Sequence, residues 1–131
     1  AFEVQGVLAG GNAVLVDVRE PYEYKDCRIP GSVNAPLSEL PKEAGRLEGK
    51  KTVILYCRTG GRSSRACKEL ENRGFEHVYN LSGGITAWYN TGRDLEGDCE
   101  GRPYFQYGKD GKVVKPDFSR PLPEPEVKGC K

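Results

Sequence analysis

The stretch that decides the fold is ILYCRTGGRSSRACKEL, residues 54–70. It continues an apolar run, TVILYC at residues 52–57, which is typical of a strand buried on both faces. Cys57 ends that run, and a loop of glycines and arginines follows it directly. A helical pattern comes next and stops at Gly74. Strand, cationic loop and helix in this order indicate an α/β domain with its site beyond the strand's carboxyl end.

Other segments repeat the alternation of buried strand and helix. AVLVDV at residues 13–18 and VYNL at residues 78–81 are predicted strands, and the turn at Pro30-Gly31 leads into another short one. SGGITAWYN then begins a helix with Ser82 or a glycine at its cap. The pattern predicts an α/β fold with a mostly parallel central sheet.

The composition changes after about residue 92. YFQYGKDGKVVK is predicted to form a hairpin with turn residues 109–111. KPDFSRPLPEPEVKG is rich in proline and is predicted to be extended or partly disordered. We therefore expect a domain over residues 1–92 and a C-terminal extension over residues 93–131.

Charge and composition argue against several function classes. The chain has 131 residues with formal net charge +1, so bulk charge indicates neither a nucleic-acid nor a membrane partner. No apolar run approaches the roughly 20 residues that span a bilayer, and no signal peptide is visible. The five cysteines form no C-x-x-C pair, so a structural zinc site is not expected. Their number leaves the compartment open, with the cytoplasm slightly favoured over the periplasm.

Cys57 lies where several features would stabilise a thiolate. A glycine-rich turn lets backbone N–H groups point inward and form an anion-binding nest. A helix N-terminus and the guanidinium groups of Arg58 and Arg62 add positive potential. Because the same features attract a small anion, the loop is predicted to combine a nucleophile with an anion site. A buried, inert cysteine beside a simple turn is the alternative interpretation.

Spacing weighs against three rival chemistries. A phosphate-binding P-loop needs a Gly-Lys pair, whereas Arg62 follows the second glycine here. A Cys–His hydrolase needs a base, and the single histidine, His77, is predicted to be solvated. A cysteine phosphatase uses C-x5-R, but the sixth residue after Cys57 is Ser63, so Arg62 falls one position short.

Four segments in order resemble the rhodanese family of sulfurtransferases. They are LVDVREPYEY (15–24), RIPGSVNAPL (28–37), the stretch around Cys57, and GFEHVYNLSGGITAW (74–88). The resemblance implies a rhodanese-like α/β fold with a mostly parallel sheet of about five strands and helices on both faces. It also implies transfer of sulfane sulfur through a cysteine persulfide, a chemistry that requires neither a cofactor nor a metal.

Carried over residue by residue, the resemblance implies that Cys57 is the sulfur carrier and that Asp17 and Arg19 support the site. The donor would be a small anion such as thiosulfate, or a persulfide or polysulfide, and the acceptor cyanide, a thiol or a protein thiol. Two alternatives stay open: a cysteine phosphatase or arsenate reductase on the same fold, and a non-catalytic module that carries sulfur to a partner. The substrate-binding loop would comprise Arg58, Thr59, Gly60, Gly61, Arg62 and Ser63.

The remaining cysteines carry weaker expectations. Cys27 stands where the family has glycine, and we interpret it as a tolerated turn substitution rather than a resolving thiol. Cys67 shares an apolar helix face and is predicted to lie in the core. A disulfide between Cys99 and Cys130 would tie down the extension, although free thiols are slightly favoured. The short edge strand usual at the start of the family fold is expected to be absent.

Overall fold

The computed structural model describes residues 13–40, 42, 52–91, 93–99, 106–107, 113–114 and 125–130. Within these residues, three α-helices, nine short strands and one 3₁₀ turn have defined bounds. The helices are α1 (Pro21–Asp26), α2 (Gly61–Asn72) and α3 (Gly84–Asn90), and the 3₁₀ turn is Leu37–Glu39. The strands are β1 (Ala13–Asp17), β2 (Cys27–Arg28), β3 (Val33–Asn34), β4 (Thr52–Tyr56), β5 (Val78–Ser82), β6 (Glu96–Gly97), β7 (Gln106–Tyr107), β8 (Val113–Val114) and β9 (Glu126–Gly129).

The main sheet has five strands in the order β3-β1-β4-β5-β9. The first four are parallel, and β9 runs antiparallel to β5 at one edge. The predicted α/β fold with a mostly parallel five-stranded sheet is confirmed. The fifth strand comes from the proline-rich segment, which is extended at Glu126–Gly129, as one of the two expected alternatives has it; its pairing with β5 was not predicted.

Alternate residues of the central strands point to opposite faces of the sheet, and each face has its own core. Helix α2 covers one face and α3 the other, as predicted. The first core includes Val16, Val53 and Leu55 with Ala66 and Leu70 of α2. The second includes Leu15, Ile54 and Tyr56 with Ile85 and Trp88 of α3.

The hairpin predicted in the extension is present as a strand pair. Strands β7 and β8 pair antiparallel, with Gln106 opposite Val114 and Tyr107 opposite Val113. The predicted turn at residues 109–111 lies outside the described residues. Strand β6 pairs antiparallel with β2, so the extension also reaches the segment after α1.

Two disulfides join four of the five cysteines, in pairs that the sequence did not predict. Cys27 is bridged to Cys99 and Cys67 to Cys130, with Cα atoms 5.1 and 5.4 Å apart. The proposed Cys99–Cys130 bridge and the preference for free thiols are therefore wrong, and Cys27 is not merely a tolerated turn substitution, because it has a disulfide partner. The physical reason is register: Cys27 lies opposite Gly97 across the β2–β6 pair, which brings Cys99 close. Cys67 is buried as predicted, and β9 places Cys130 in the same core.

No helix among the described residues is long and apolar enough to cross a membrane.

Candidate active site

Cys57 follows the last residue of β4, and only 1% of its surface is exposed. It lies at the carboxyl edge of the parallel strands, where open α/β sheets place their ligands. Its side chain belongs to the core shared with α2. The protein therefore holds the sulfur at the floor of the loop.

Two donor groups at the start of α2 lie within hydrogen-bond distance of the Cys57 sulfur. The Gly60 N–H donates to Sγ at 3.1 Å, and the Ser63 hydroxyl lies 3.5 Å from it. Gly60 has a φ of 118°, a left-handed conformation that glycine adopts without strain. It is also the N-cap of α2, so the unpaired amides of the first helical turn begin beside the sulfur. The start of α2 therefore directs hydrogen-bond donors at the Cys57 sulfur.

Ser63 is fully buried and has more acceptors than protons. Its hydroxyl lies within hydrogen-bond distance of the Cys57 sulfur, the Gly60 carbonyl at 3.2 Å and the Asn80 amide oxygen of β5. A hydroxyl has one proton to donate, so these acceptors compete for it. Asn80 thus influences whether Ser63 donates to the sulfur.

The N-terminus of α3 anchors the same loop from the opposite face of the sheet. The Ile85 N–H donates to the Cys57 carbonyl and the Thr86 N–H to the Arg58 carbonyl, both at 3.0 Å. Gly84 makes this approach possible, because a Cβ there would lie against both carbonyl oxygens. Its φ of 58° also favours glycine. The paired glycines had indicated only a helix cap, and this anchoring role was missed.

Arg62 is engaged by a residue that sequence reasoning did not single out. Its guanidinium donates to the two carboxylate oxygens of Glu23 at 2.8 and 3.2 Å. Hydrogen bonding to Glu23 raises the pKa of Arg62, and the charges of Glu23 and Cys57 add to this shift against the effect of burial. Burial acts to raise the pKa of Glu23. The hydrogen bonds from Arg62 and from the Glu20 amide, together with the charge of Arg19, outweigh burial, so the pKa of Glu23 is lowered overall. The loop's second arginine is therefore charge-paired.

Asp17 and Arg19 form a buried ion pair beneath the turn into α1. Arg19 donates to the Asp17 carboxylate at 2.8–3.0 Å, and also to the Cys27 carbonyl. The Asn34 side chain donates to the backbone carbonyls of both residues and ties β3 to this turn. These bonds fix the start of α1, which carries Glu23.

The structure brings part of the predicted site together at the Cys57 sulfur. Gly60 and Ser63 contact the sulfur, Arg62 is in electrostatic range of it, Arg58 is half-buried, and Thr59 is exposed. His77 is exposed, as predicted. Over the residues that could be described, no three His, Cys, Asp or Glu side chains cluster as a metal site would require.

Comparison with known proteins places these features in context. Residues 2–91 match the family model described as "Rhodanese-like domain". The uncharacterised protein YqhL of Bacillus subtilis is 42% identical over 76 residues, which are 58% of this chain and 60% of that protein. A protein of Allochromatium vinosum named as a sulfurtransferase is 37% identical over 81 residues, covering 62% and 76% of the two chains. The chain therefore spans less than two thirds of the length of the Bacillus relative.

Two solved structures illustrate the range of names among structural neighbours. A thiosulfate sulfurtransferase from Pseudomonas aeruginosa superposes with a TM-score of 0.66 at 32% identity, covering 72% of this chain and 19% of that one. A Rhodopseudomonas palustris protein described as a possible tyrosine phosphatase superposes with a TM-score of 0.64 at 28% identity, covering 70% and 76%.

Proposed function

Because the chain belongs to the rhodanese-like domain family, we propose that it is a sulfurtransferase that carries sulfane sulfur as a persulfide on Cys57. The observation that carries this proposal is the environment of the Cys57 sulfur. Sγ accepts the Gly60 N–H at 3.1 Å at the head of α2, where a helix N-terminus stabilises negative charge. The name of the Allochromatium relative agrees with this assignment.

In the first step the Cys57 thiolate attacks the outer sulfur of an anionic donor such as thiosulfate. A sulfur–sulfur bond forms to Cys57 while the donor's own bond breaks, and sulfite leaves with the electron pair. The product is a persulfide anion on Cys57. The first amides of α2, at residues 61–63, have no intrahelical acceptors and would stabilise that terminal sulfur.

In the second step an acceptor nucleophile attacks the terminal sulfur of the persulfide. Cyanide would leave as thiocyanate, and a thiolate would become a persulfide itself. In both cases the bonding pair returns to Cys57 and regenerates its thiolate. The chemistry needs no cofactor, because donor, carrier and acceptor supply all the electrons.

The disulfides support the assignment of Cys57 as the sulfur carrier. Cys57 is the one cysteine of five that is not bridged. An added sulfur atom on the oxidised protein therefore has a single thiol to occupy.

Intact-mass measurement after thiosulfate treatment tests the proposal. We expect a gain of one sulfur atom, its removal by cyanide with release of thiocyanate, and no gain in Cys57→Ser. Cyanide is the acceptor of choice, because a thiol would also reduce the two disulfides. Equal sulfur loading on the Cys57→Ser protein would overturn the assignment.

The same protein samples separate the two alternatives. Hydrolysis of a generic aryl phosphate that is lost in Cys57→Ser, without sulfur loading, would identify a phosphatase. Slow thiosulfate turnover combined with tight binding of one protein partner would identify a non-catalytic carrier. The loop of six residues from Cys57 to Arg62 is one residue shorter than the phosphatase pattern, which favours sulfur transfer.

A further inference from the structure

The carboxylate of Glu23 is fixed at the mouth of the cysteine loop by two partners. One oxygen accepts the Glu20 N–H at 3.1 Å and the Arg62 guanidinium at 2.8 Å, and the other accepts Arg62 at 3.2 Å. The first of these bonds belongs to the capping box of α1, which also has Pro21 at its first position. The capping box of α1 therefore fixes the position of the Glu23 carboxylate.

Glu23 remains ionised at neutral pH in this position. The hydrogen bonds from Arg62 and the Glu20 amide, together with the nearby arginines, keep the pKa of Glu23 below its ordinary value although burial opposes them. The side chains of Glu23 and Arg62 are 19% and 35% exposed, so the pair borders the site without being sealed in the core. Any donor that approaches Arg62 meets a fixed negative charge.

From this geometry we propose that Glu23 is a specificity-determining residue that disfavours doubly charged sulfur donors relative to singly charged ones. The inference rests on the proposed function. A donor that binds Arg62 must either displace the Glu23 carboxylate from the guanidinium group or bind while that carboxylate stays paired with it. In both cases the Glu23 carboxylate stays near the donor, and its repulsion grows with the donor's charge, so thiosulfate, a dianion, binds less favourably than a monoanion that offers the same outer sulfur.

A thiosulfonate provides the matched donor. Methanethiosulfonate carries one negative charge, and attack by Cys57 on its outer sulfur releases methanesulfinate just as thiosulfate releases sulfite. Each reaction consumes one thiolate and one donor anion and yields one persulfide anion and one leaving anion. The two donors therefore differ in charge at the site while the sulfur–sulfur exchange is the same.

The test compares kcat/KM for the two donors in Glu23→Gln, which keeps the side-chain volume and an acceptor oxygen. Glu69→Gln is the control, because it also removes one carboxylate paired with an arginine, at the far end of α2. One charge at roughly 8 Å, in an effective dielectric of about 20 and physiological salt, changes a binding constant about threefold. We expect the thiosulfate-to-methanethiosulfonate ratio to rise by that factor in Glu23→Gln, through KM, and to stay constant in Glu69→Gln.

Other outcomes overturn the inference in recognisable ways. An unchanged ratio in an active Glu23→Gln enzyme, or an equal fall with both donors, would show that Glu23 only positions Arg62. A wild-type protein that accepts sulfur from neither donor would instead refute the proposed function. The two failures are thus distinguishable in one set of measurements.

Discussion

Replacing Gly84 by alanine tests how the cysteine loop is held. A Cβ at this position would lie against the carbonyl oxygens of Cys57 and Arg58, and α3 would have to move away from them. That movement would open the bonds from Ile85 and Thr86 to the same carbonyls, both 3.0 Å long.

The magnitude follows from these contacts. Left-handed backbone costs alanine about 1 kcal/mol relative to glycine. Each opened backbone hydrogen bond costs about 1 kcal/mol. We therefore expect Gly84→Ala to lower the free energy of unfolding by about 3 kcal/mol. Gly31→Ala is the matched control, because Gly31 also has a positive φ, 82°, but nothing lies within 4 Å of its Cβ position. The control should cost only the backbone strain, about 1 kcal/mol.

Urea unfolding followed by tryptophan fluorescence suits this comparison, because the single tryptophan, Trp88, lies buried in α3. Sulfur loading by intact mass should also slow in Gly84→Ala and remain normal in Gly31→Ala. If the two variants lose the same free energy within about 0.5 kcal/mol, α3 does not press on the loop as described.

Three other variants probe separate parts of the molecule. Ser63→Ala removes a donor to the sulfur and leaves the Asn80 amide oxygen without its hydroxyl partner. We therefore expect cyanide-dependent turnover to fall about tenfold. Turnover within about twofold of wild type would show that Ser63 takes no part in the mechanism. Cys67→Ser combined with Cys130→Ser removes a bridge between residues 63 positions apart. Its loss should lower the free energy of unfolding, measured by urea titration, by up to about 4 kcal/mol. No change would show that the bridge does not form. Glu23→Gln should cost about 0.5–1 kcal/mol of stability at pH 7. Because the folded pKa of Glu23 is lowered from 4.5, that difference is complete above pH 4.5 and disappears as the pH falls through the folded pKa; urea titrations that give the same difference at low pH would contradict the pairing.

The sequence was informative where neighbouring residues decide the structure. The apolar run that ends at Cys57, the glycines behind it and the stop at Gly74 define β4, the loop and α2 without help from distant residues. The parallel strands could be predicted for the same reason, because continuous apolar runs are typical of strands buried on both faces. The loop that contacts Cys57 was identified on these local signals.

The contacts that were missed all join distant parts of the chain. Glu23 and Arg62 are 39 residues apart, and their pairing depends on where α1 lies against the loop. Strand β9 has four residues in a proline-rich segment, whose composition does not predict a strand. Its backbone is paired with β5, which lies far away along the chain. The disulfides follow from those pairings, so the spacing of cysteines alone could not assign them.

The two disulfides interleave along the chain, since Cys67 lies between Cys27 and Cys99 while Cys99 lies between Cys67 and Cys130. Every peptide bond between Cys27 and Cys130 is consequently spanned by at least one bridge. A protease that cuts once anywhere in this interval, including the proline-rich segment, releases no fragment. Such a nicked molecule migrates as one band until it is reduced, and the strand at the edge of the sheet stays tethered to the helix that follows the cysteine loop.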